Sequence, residues 1–333
     1  MKSFQKTYSL IFAVCLIAFS AYALLDTFAI SRVYAVVEQE QVTETAETVD
    51  ELQPQLQTLS GKHTGKKKRE GQKSGGEISE KKETPDGTSG ATIETDAVPA
   101  ADSGVQITIS EYREFGSNIY VADIVVSSAS DLKTAFSQNS YGRNVTAATS
   151  ETAAAVGATL AVNGDNYGSR EKGYVIRNGV LYRDTAAKDQ EDLVIYADGS
   201  FAIINESDVT AHELLEQGAV QVFSFGPGLL ENGTVIVDRN DEVDRAMASN
   251  PRTAIGLLGE NHYMLVVSDG RTNESEGLTL YELAKFMQRL GVQTAYNLDG
   301  GGSSTMVYQG VVINETTSGR SNGERAVTDI ICF

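Results

Sequence analysis

Apolar and polar positions divide the chain into three regimes. Residues 8–25 are apolar without a single charge, residues 36–103 are polar, and from residue 104 onward short apolar stretches alternate with turn residues. About 18 apolar residues can just span a bilayer. Lys2 and Lys6 precede the run and Asp26 comes after it, which predicts an N-terminus inside and the remainder outside. Ala21-Tyr22-Ala23 also fits a signal-peptide cleavage site. The run is long for a signal core, however, and the Ala-x-Ala falls within it. The expectation is a single-pass anchor over residues 1–35, with the C-terminal part extracellular, or a secreted protein if the segment is cleaved.

Residues 36–103 are dominated by Gln, Thr, Glu, Lys, Gly and Ser, with no aromatic residue between Tyr34 and Tyr112. Such a stretch cannot bury enough apolar surface to offset its ordering entropy. It reads as a disordered linker with an r.m.s. span of about 40–50 Å, a stalk for the C-terminal third regime. The basic run Lys66-Lys67-Lys68-Arg69 reads as a solvated charge patch of that linker.

The third regime, residues 104–333, predicts a folded domain. Residues 107–112 and 119–126 alternate as a hairpin across Gly116-Ser117. Asn178-Gly179 and Asp198-Gly199 sit between apolar strands as tight-turn signals. Residues 254–258 with 263–267, and 305–308 with 311–313, form two further strand pairs. Short helices are expected at 150–155 and 209–216. The clearest helix covers 280–290: Thr279 and Glu282 make a capping box, Leu280, Leu283, Ala284, Met287 and Leu290 share one face, and Gly291 ends it. Many strands with few helices predict an α+β fold, a single domain on a mixed or antiparallel sheet with a few packed helices, rather than a doubly wound parallel sheet.

Composition narrows the chemistry. A net charge of −18 over 333 residues argues against a nucleic-acid partner, which would require a basic footprint. Two cysteines, Cys15 and Cys332, make neither a disulfide framework nor a zinc pattern. With His63, His212 and His262 as the only histidines, a His-rich metal centre is excluded, and a Ser-His-Asp triad would have to use His212 or His262.

Five segments break the strand pattern by placing Gly and polar residues directly after apolar ones, where backbones approach ligands closely. The first is 161–167, with Asn163, Asp165, Asn166 and Tyr167. Next come Phe225-Gly226-Pro227-Gly228, and Asn250-Pro251-Arg252-Thr253-Ala254-Ile255-Gly256. The last two are Ser268-Asp269-Gly270-Arg271 and Asn297-Leu298-Asp299-Gly300-Gly301-Gly302-Ser303-Ser304. Three consecutive glycines leave amides free to converge on an anion, with Asp299 at the mouth of the loop. No Lys comes after them as in a Walker loop, and the next element is a strand rather than a helix. Arg252 offers a bidentate fork for phosphate. Asp269 and Arg271 read equally as a self-paired turn or as an acid and an anion binder. Asp165 could orient hydroxyls, act as a base, or join Asp269 or Asp299 around a cation. Such oxygen ligands would suit calcium or magnesium, but no cofactor is assigned. Tyr167 could stack on a sugar ring or belong to the core.

These segments, in this order, resemble the NAGPA-type phosphodiester glycosidases, a family that includes bacterial surface homologues. The resemblance covers residues 158–333 and extends to Arg325 in Ser321-Asn322-Gly323-Glu324-Arg325. It implies hydrolysis of a sugar-1-phosphodiester between the anomeric carbon and the phosphate oxygen, with a phosphodiester-linked envelope or extracellular glycan as partner. On that resemblance Asp299, Asp165 and Asp269 are the candidate catalytic carboxylates. Asn163, Arg252, Arg271, Asn297, Gly300, Gly301, Gly302, Ser303 and Arg325 are the candidate substrate-binding residues. A non-catalytic glycan-binding module, and a metal-dependent phosphodiesterase cutting the P–O bond, remain the alternatives.

Overall fold

The structure is a computed structural model that describes residues 2–34, 104–239, 249–318 and 321–333. The expected linker at 36–103 lies outside the described residues.

Helix α1 (Lys2–Phe28) carries the apolar run. Most of its described side chains are exposed: Ile17 is 69% and Phe19 70% exposed. Among the described residues, no helix is long and apolar enough to cross a membrane; the side chains of residues 8–10, where the run begins, lie outside them. Beyond α1, Arg32–Val33 pairs antiparallel with Gly142–Arg143, and the Tyr34 amide donates to the Tyr141 carbonyl at 2.9 Å.

The domain is built on three principal sheets instead of one, and every pairing among the described strands is antiparallel. The first hairpin, Val105–Glu114 with Ser117–Val126, turns on Phe115-Gly116, both at positive φ. It is one edge of a seven-stranded sheet that continues through His262–Ser268, Arg252–Gly259, Thr294–Asn297 and Gly228–Glu231 to Thr234–Val235. A five-stranded sheet runs Phe201–Asn205, Glu191–Tyr196, Ala219–Phe223, Val175–Arg177, Val180–Arg183. The other runs Val311–Val312, Met306–Tyr308, Leu160–Asn163, Asp329–Cys332, Lys133–Phe136.

The three sheets share one core. Ile124, Ile255, Leu265 and Tyr296 of the first meet Leu193 and Phe223 of the second and Val162, Met306 and Ile331 of the third. Each sheet's other face is closed by a helix. α2 (Thr149–Val156) covers Ala161, Val307 and Ile330, and α3 (Ala211–Glu216) covers Ile176, Val194 and Val222. α4 (Leu280–Arg289) starts at the expected Thr279–Glu282 capping box and lays Leu283, Ala284, Phe286 and Met287 on Ala254, Met264 and Ala295. At Gly256 a Cβ would come within 2.6 Å of Val292 and 2.9 Å of Met287, so α4 docks only over glycine.

Two of the sheets are tied together by a buried ion triad. Arg177 sits in an apolar strand, 2% exposed, between two fully buried carboxylates. Its Nη2 lies 2.8 Å from Asp165 Oδ1 and 2.8 Å from Asp329 Oδ2, and its Nε donates to Asp329 Oδ2 at 2.9 Å. The guanidinium also lies 4.3 Å from the centre of the Phe223 ring. Burial raises the Asp329 carboxyl above the ordinary range; Arg177 pulls it down and Asp165 pushes it up. Removing one partner of such a group leaves buried charge uncompensated, at a cost of about 3–5 kcal/mol. Arg177→Met is therefore expected to lose about that much stability at pH 8. The sign with pH is set by linkage: without Arg177 the pull that lowers the Asp329 carboxyl is lost, its folded-state pKa rises further in the variant, and the variant loses more stability than wild type as pH climbs towards that value. The deficit against wild type should thus shrink from pH 8 to pH 5 in urea-unfolding midpoints, and a deficit that grew on acidification would contradict the triad.

Candidate functional site

The glycine-rich segments meet where strands of the three sheets end. Asn163 closes Leu160–Asn163, Ser224 follows Ala219–Phe223, Asp269 follows His262–Ser268, and Asp299 lies just beyond Thr294–Asn297. The glycine triplet adopts one turn of 3-10 helix over Gly301–Ser303, with Gly301 at φ 61°. Its surroundings explain its composition. A Cβ on Gly300 would stand 2.9 Å from the Pro251 carbonyl, one on Gly301 3.1 Å from Arg271 Nη2, and one on Gly302 2.7 Å from Arg325 Nη2. The two guanidinium groups thus lie directly on the loop, and both arginines remain solvent-exposed. Arg271 is oriented by Asn250 Oδ1, to which its Nε and Nη2 donate at 3.0 and 2.6 Å. The Arg325 segment is anchored one residue earlier, where Glu324 accepts the Ser150 amide of α2 at 3.0 Å.

The expected nest of three free amides does not form as such. The Gly301 amide donates to the Pro251 carbonyl at 2.8 Å, and the Gly300 amide is hydrogen-bonded to the Asp299 carboxylate. The loop serves by letting arginines come close rather than by offering three N–H groups.

Asp299 is 9% exposed. Burial raises its carboxyl above the usual range, against the opposing pull of the Ser303 hydroxyl, the Arg325 charge, the Gly300 amide and the Arg170 charge. Its backbone is fixed from the Asn163 turn: its amide donates to the Gly164 carbonyl at 3.3 Å, and Asn163 Nδ2 donates to its carbonyl at 2.6 Å.

Arg252 departs from expectation. It follows Pro251 beside the loop, but its side chain takes the other face of the sheet. Alternation along the strand places Ala254 in the α4 cluster and Ile255 in the central core. Arg252 shares the α4 face, where it is 3% exposed and its Nε donates to the Leu278 carbonyl at 2.9 Å. It braces the approach to α4 and is not aimed at a phosphoryl group beside Asp299.

Two of the three candidate carboxylates are fully buried, and Asp269 Oδ2 has no hydrogen-bond partner among the described residues. Asp165 is fully buried and saturated: besides Arg177, it accepts the Tyr167 amide at 3.2 Å and the Ser224 amide at 2.8 Å. Asp269 is also fully buried; its Oδ1 accepts the Glu315 amide at 2.8 Å, which ties down the segment leading to Arg325. Burial pushes its carboxyl up to about 6. Asn163 is a cross-brace as well, its Oδ1 accepting from Thr253 Oγ1 at 2.8 Å and the Thr305 amide at 3.3 Å. Asn297 donates to the Gly226 carbonyl at 2.8 Å, while its Oδ1 has no hydrogen-bond partner. Tyr167 belongs to the core, stacked 5.0 Å from Tyr141. His262 pairs with Asp123 at 2.8 Å at the start of the strand that ends at Ser268, about 20 Å from the site at 3.3 Å per residue. Among the described residues, no three His, Cys, Asp or Glu side chains group as a metal site.

The sequence reading missed Arg170. Its Nη1 donates to the Ser224 carbonyl at 2.7 Å and its guanidinium lies 5.0 Å from the Phe225 ring centre, while its charge acts on Asp299. It also borders a cleft of about 610 Å³ lined by Gln190, Asn205, Phe225, Pro227 and Glu231 among others. No strand or turn pattern marks it; a lone arginine three residues beyond Tyr167 carries no signal of its own.

The arrangement is therefore a desolvated carboxyl that feels the Arg325 and Arg170 charges, next to a glycine loop on which Arg271 and Arg325 lie. Gly302→Ala should displace Arg325 and weaken binding of inorganic phosphate at least about tenfold, a loss of ~1.4 kcal/mol. The melting temperature should fall by no more than about 2–4 °C. Calorimetric titration and thermal unfolding read both; unchanged phosphate binding would remove Arg325 from the site.

A family model described as phosphodiester glycosidase (NAGPA) matches residues 154–333. The SPbeta prophage-derived uncharacterized protein YomE of Bacillus subtilis (strain 168) is 30% identical over 177 residues, 52% of this chain and 27% of its own. The N-acetylglucosamine-1-phosphodiester alpha-N-acetylglucosaminidase of Mus musculus is 29% identical over 179 residues, 49% of this chain and 34% of its own. The matched region thus spans about a third or less of these curated relatives. The catalytic domain of the zebrafish N-acetylglucosamine-1-phosphodiester alpha-N-acetylglucosaminidase, auto-inhibited by its pro-peptide, superposes with a TM-score of 0.55 at 22% identity over 74% of this chain and 88% of that one, a likeness of fold. With the family model covering more than half its length, the chain belongs to the phosphodiester glycosidase family.

Proposed function

We propose that the domain hydrolyses a sugar-1-phosphodiester at the bond between the anomeric carbon and the phosphate oxygen, in an extracellular or envelope glycan. The observation that carries this reading is the placement of Arg271 and Arg325 on the glycine triplet beside the buried Asp299. A phosphate monoester is a good leaving group, so such a reaction needs little general-acid help. It needs charge stabilisation on the phosphate, which the arginines supply, and a carboxylate facing the oxocarbenium-like centre. Asp299 takes that role. Asp165 and Asp269, both sealed, position the strand ends around it. The cleft beyond Arg170, lined by amides, carboxylates and Phe225, suits the sugar side.

The relatives' names make an N-acetylglucosamine-1-phosphodiester the first probe. In ¹⁸O-labelled water the label should enter the sugar; label in the phosphate would instead support a P–O-cleaving phosphodiesterase, and binding without turnover a glycan-binding module. Asp299→Asn should lower kcat at least about a thousandfold, ~4 kcal/mol of barrier. Its melting temperature should stay near wild type; a large loss of stability with residual turnover would assign Asp299 to structure.

The exposed apolar face of α1 supports a second part of the proposal, that this helix anchors the chain in a membrane with the domain outside. The full chain should then remain in the membrane pellet after an alkaline carbonate wash. Release into the supernatant would leave α1 without that role.

A further inference from the structure

Behind the Ser224 turn lies a second acidic group that the proposed reaction does not use. Ser224 Oγ is 2.6 Å from Asp192 Oδ1 and 2.6 Å from Glu206 Oε1, and all three residues are buried. A hydroxyl carries one proton, so it donates to one of these oxygens. The other contact, at 2.6 Å, is repulsive unless that oxygen itself carries a proton. Glu206 is the oxygen pair already surrounded by donors: the Tyr174 amide at 2.8 Å on Oε1 and the Ala187 amide on Oε2. Asp192 Oδ2, by contrast, has no hydrogen-bond donor, which an ionised and fully buried carboxylate would not tolerate. The donor inventory is met when the Asp192 carboxyl donates to Ser224 Oγ and Ser224 Oγ donates to Glu206 Oε1.

The charged and titratable surroundings agree. Glu206 and Asp165 are the charges that act on Asp192, and with burial they hold its proton well above the ordinary carboxyl range. The Tyr296 phenol feels Asp192 and Asp165, and the Tyr174 phenol feels Glu206, Asp192, Asp184 and Glu213. Arg177 is engaged by Asp165 and Asp329, and Arg170 reaches the Ser224 carbonyl rather than the acids. Gly173 packs directly over the cluster, where an added Cβ would lie 2.7 Å from Ser224 Oγ.

Ser224 is also where the site is held from behind. Its amide donates to Asp165 Oδ2 at 2.8 Å, and its carbonyl accepts from Arg170 Nη1 at 2.7 Å. We propose that Asp192 and Glu206 share one proton through Ser224 and act as positioning residues. The proton holds the Ser224 turn, and through the Ser224 carbonyl it holds Arg170, whose charge acts on Asp299. Loss of the proton puts two carboxylates around one hydroxyl, displaces the turn and releases Arg170. The site is then competent on the acid side of that titration and fails on the alkaline side. The consequence for turnover rests on the reading of Asp299 as the reacting carboxyl; the proton count at Ser224 does not.

The full chain tests both. Turnover of the sugar phosphodiester should fall about tenfold per pH unit beyond the midpoint, as for one essential proton, and the melting temperature should decline as pH rises from the ordinary carboxyl range up to that midpoint, where the folded chain keeps a proton that the unfolded chain has lost. In Asp192→Asn, whose amide donates to Ser224 at every pH, the alkaline limb of turnover should disappear or move up by more than one unit, whatever its turnover level, and the melting-temperature decline should flatten. An unmoved limb together with an unmoved melting profile would overturn the proposal. A chain without turnover on any sugar phosphodiester would defeat the proposed function alone, because the melting arm still reads the proton. If Asp192→Asn does not fold, hydrogen exchange of the wild-type segment containing the Ser224 amide decides. Protection, corrected for the intrinsic pH dependence of exchange, should drop through the titration, and constant protection would overturn it.

Discussion

One guanidinium between two buried carboxylates holds the site in place. Arg177 comes from one five-stranded sheet, Asp329 from a strand of the other, and Asp165 from the turn that leaves that other sheet at Asn163. Replacing a buried ion group by apolar residues is often neutral for stability, so its value here is registry. Once Asp165 is pinned, the Asn163-Gly164 turn before it is fixed. That turn in turn holds the amide and carbonyl of Asp299. Gly164 is forced by the same triad, since a Cβ there would stand 2.3 Å from Asp329 Oδ1. The Asp299 carboxyl is thus positioned from a charge in another sheet.

That rigidity lets exposed arginines work in a strongly acidic protein. With a net charge of −18, the long-range field repels an anionic glycan, but it is screened beyond about 8 Å at physiological salt. Recognition of a phosphate then depends on local geometry. Arg271 and Arg325 lie against glycine backbone with no side chain between. The Arg325 and Arg170 charges oppose the rise that burial imposes on Asp299, so the carboxyl is kept between a sealed neutral acid and a solvated carboxylate.

Much of the fold was legible because it is local. Asn178-Gly179 forms its turn with both residues at positive φ, and the Thr279–Glu282 box starts α4 where the pattern places it. The division into three sheets was not legible. It depends on Asp329–Cys332 entering between Leu160–Asn163 and Lys133–Phe136, a pairing that joins distant parts of the chain. The site divides the same way. Asp299, Arg271 and Arg325 stand out through the glycine loops that admit them. Arg252 sits in an equally conspicuous motif, but alternation says only that it faces away from Thr253, and only the docking of α4 decides which face is the site. Asp165 looked catalytic because its partner Arg177 is hidden in an apolar strand. Arg170 has no local pattern at all.

The N-terminal segment pairs with the folded domain. Arg32–Val33 pairs with Gly142–Arg143, and the Gly104 carbonyl accepts the Ser127 amide at 2.7 Å. Residues 29–31 are the stretch between α1 and the paired Arg32–Val33, about 10 Å at full extension. The contact is not remote from the chemistry. Tyr34 packs 5.7 Å from Tyr141, Tyr141 stacks on Tyr167, and the Tyr167 hydroxyl accepts the Gly142 amide at 3.3 Å. Tyr167 opens the turn that ends at Arg170. The segment nearest α1 thus buttresses the loop that carries one of the three site arginines, so whatever surface α1 engages, the domain is held close to it with that loop supported from the same side.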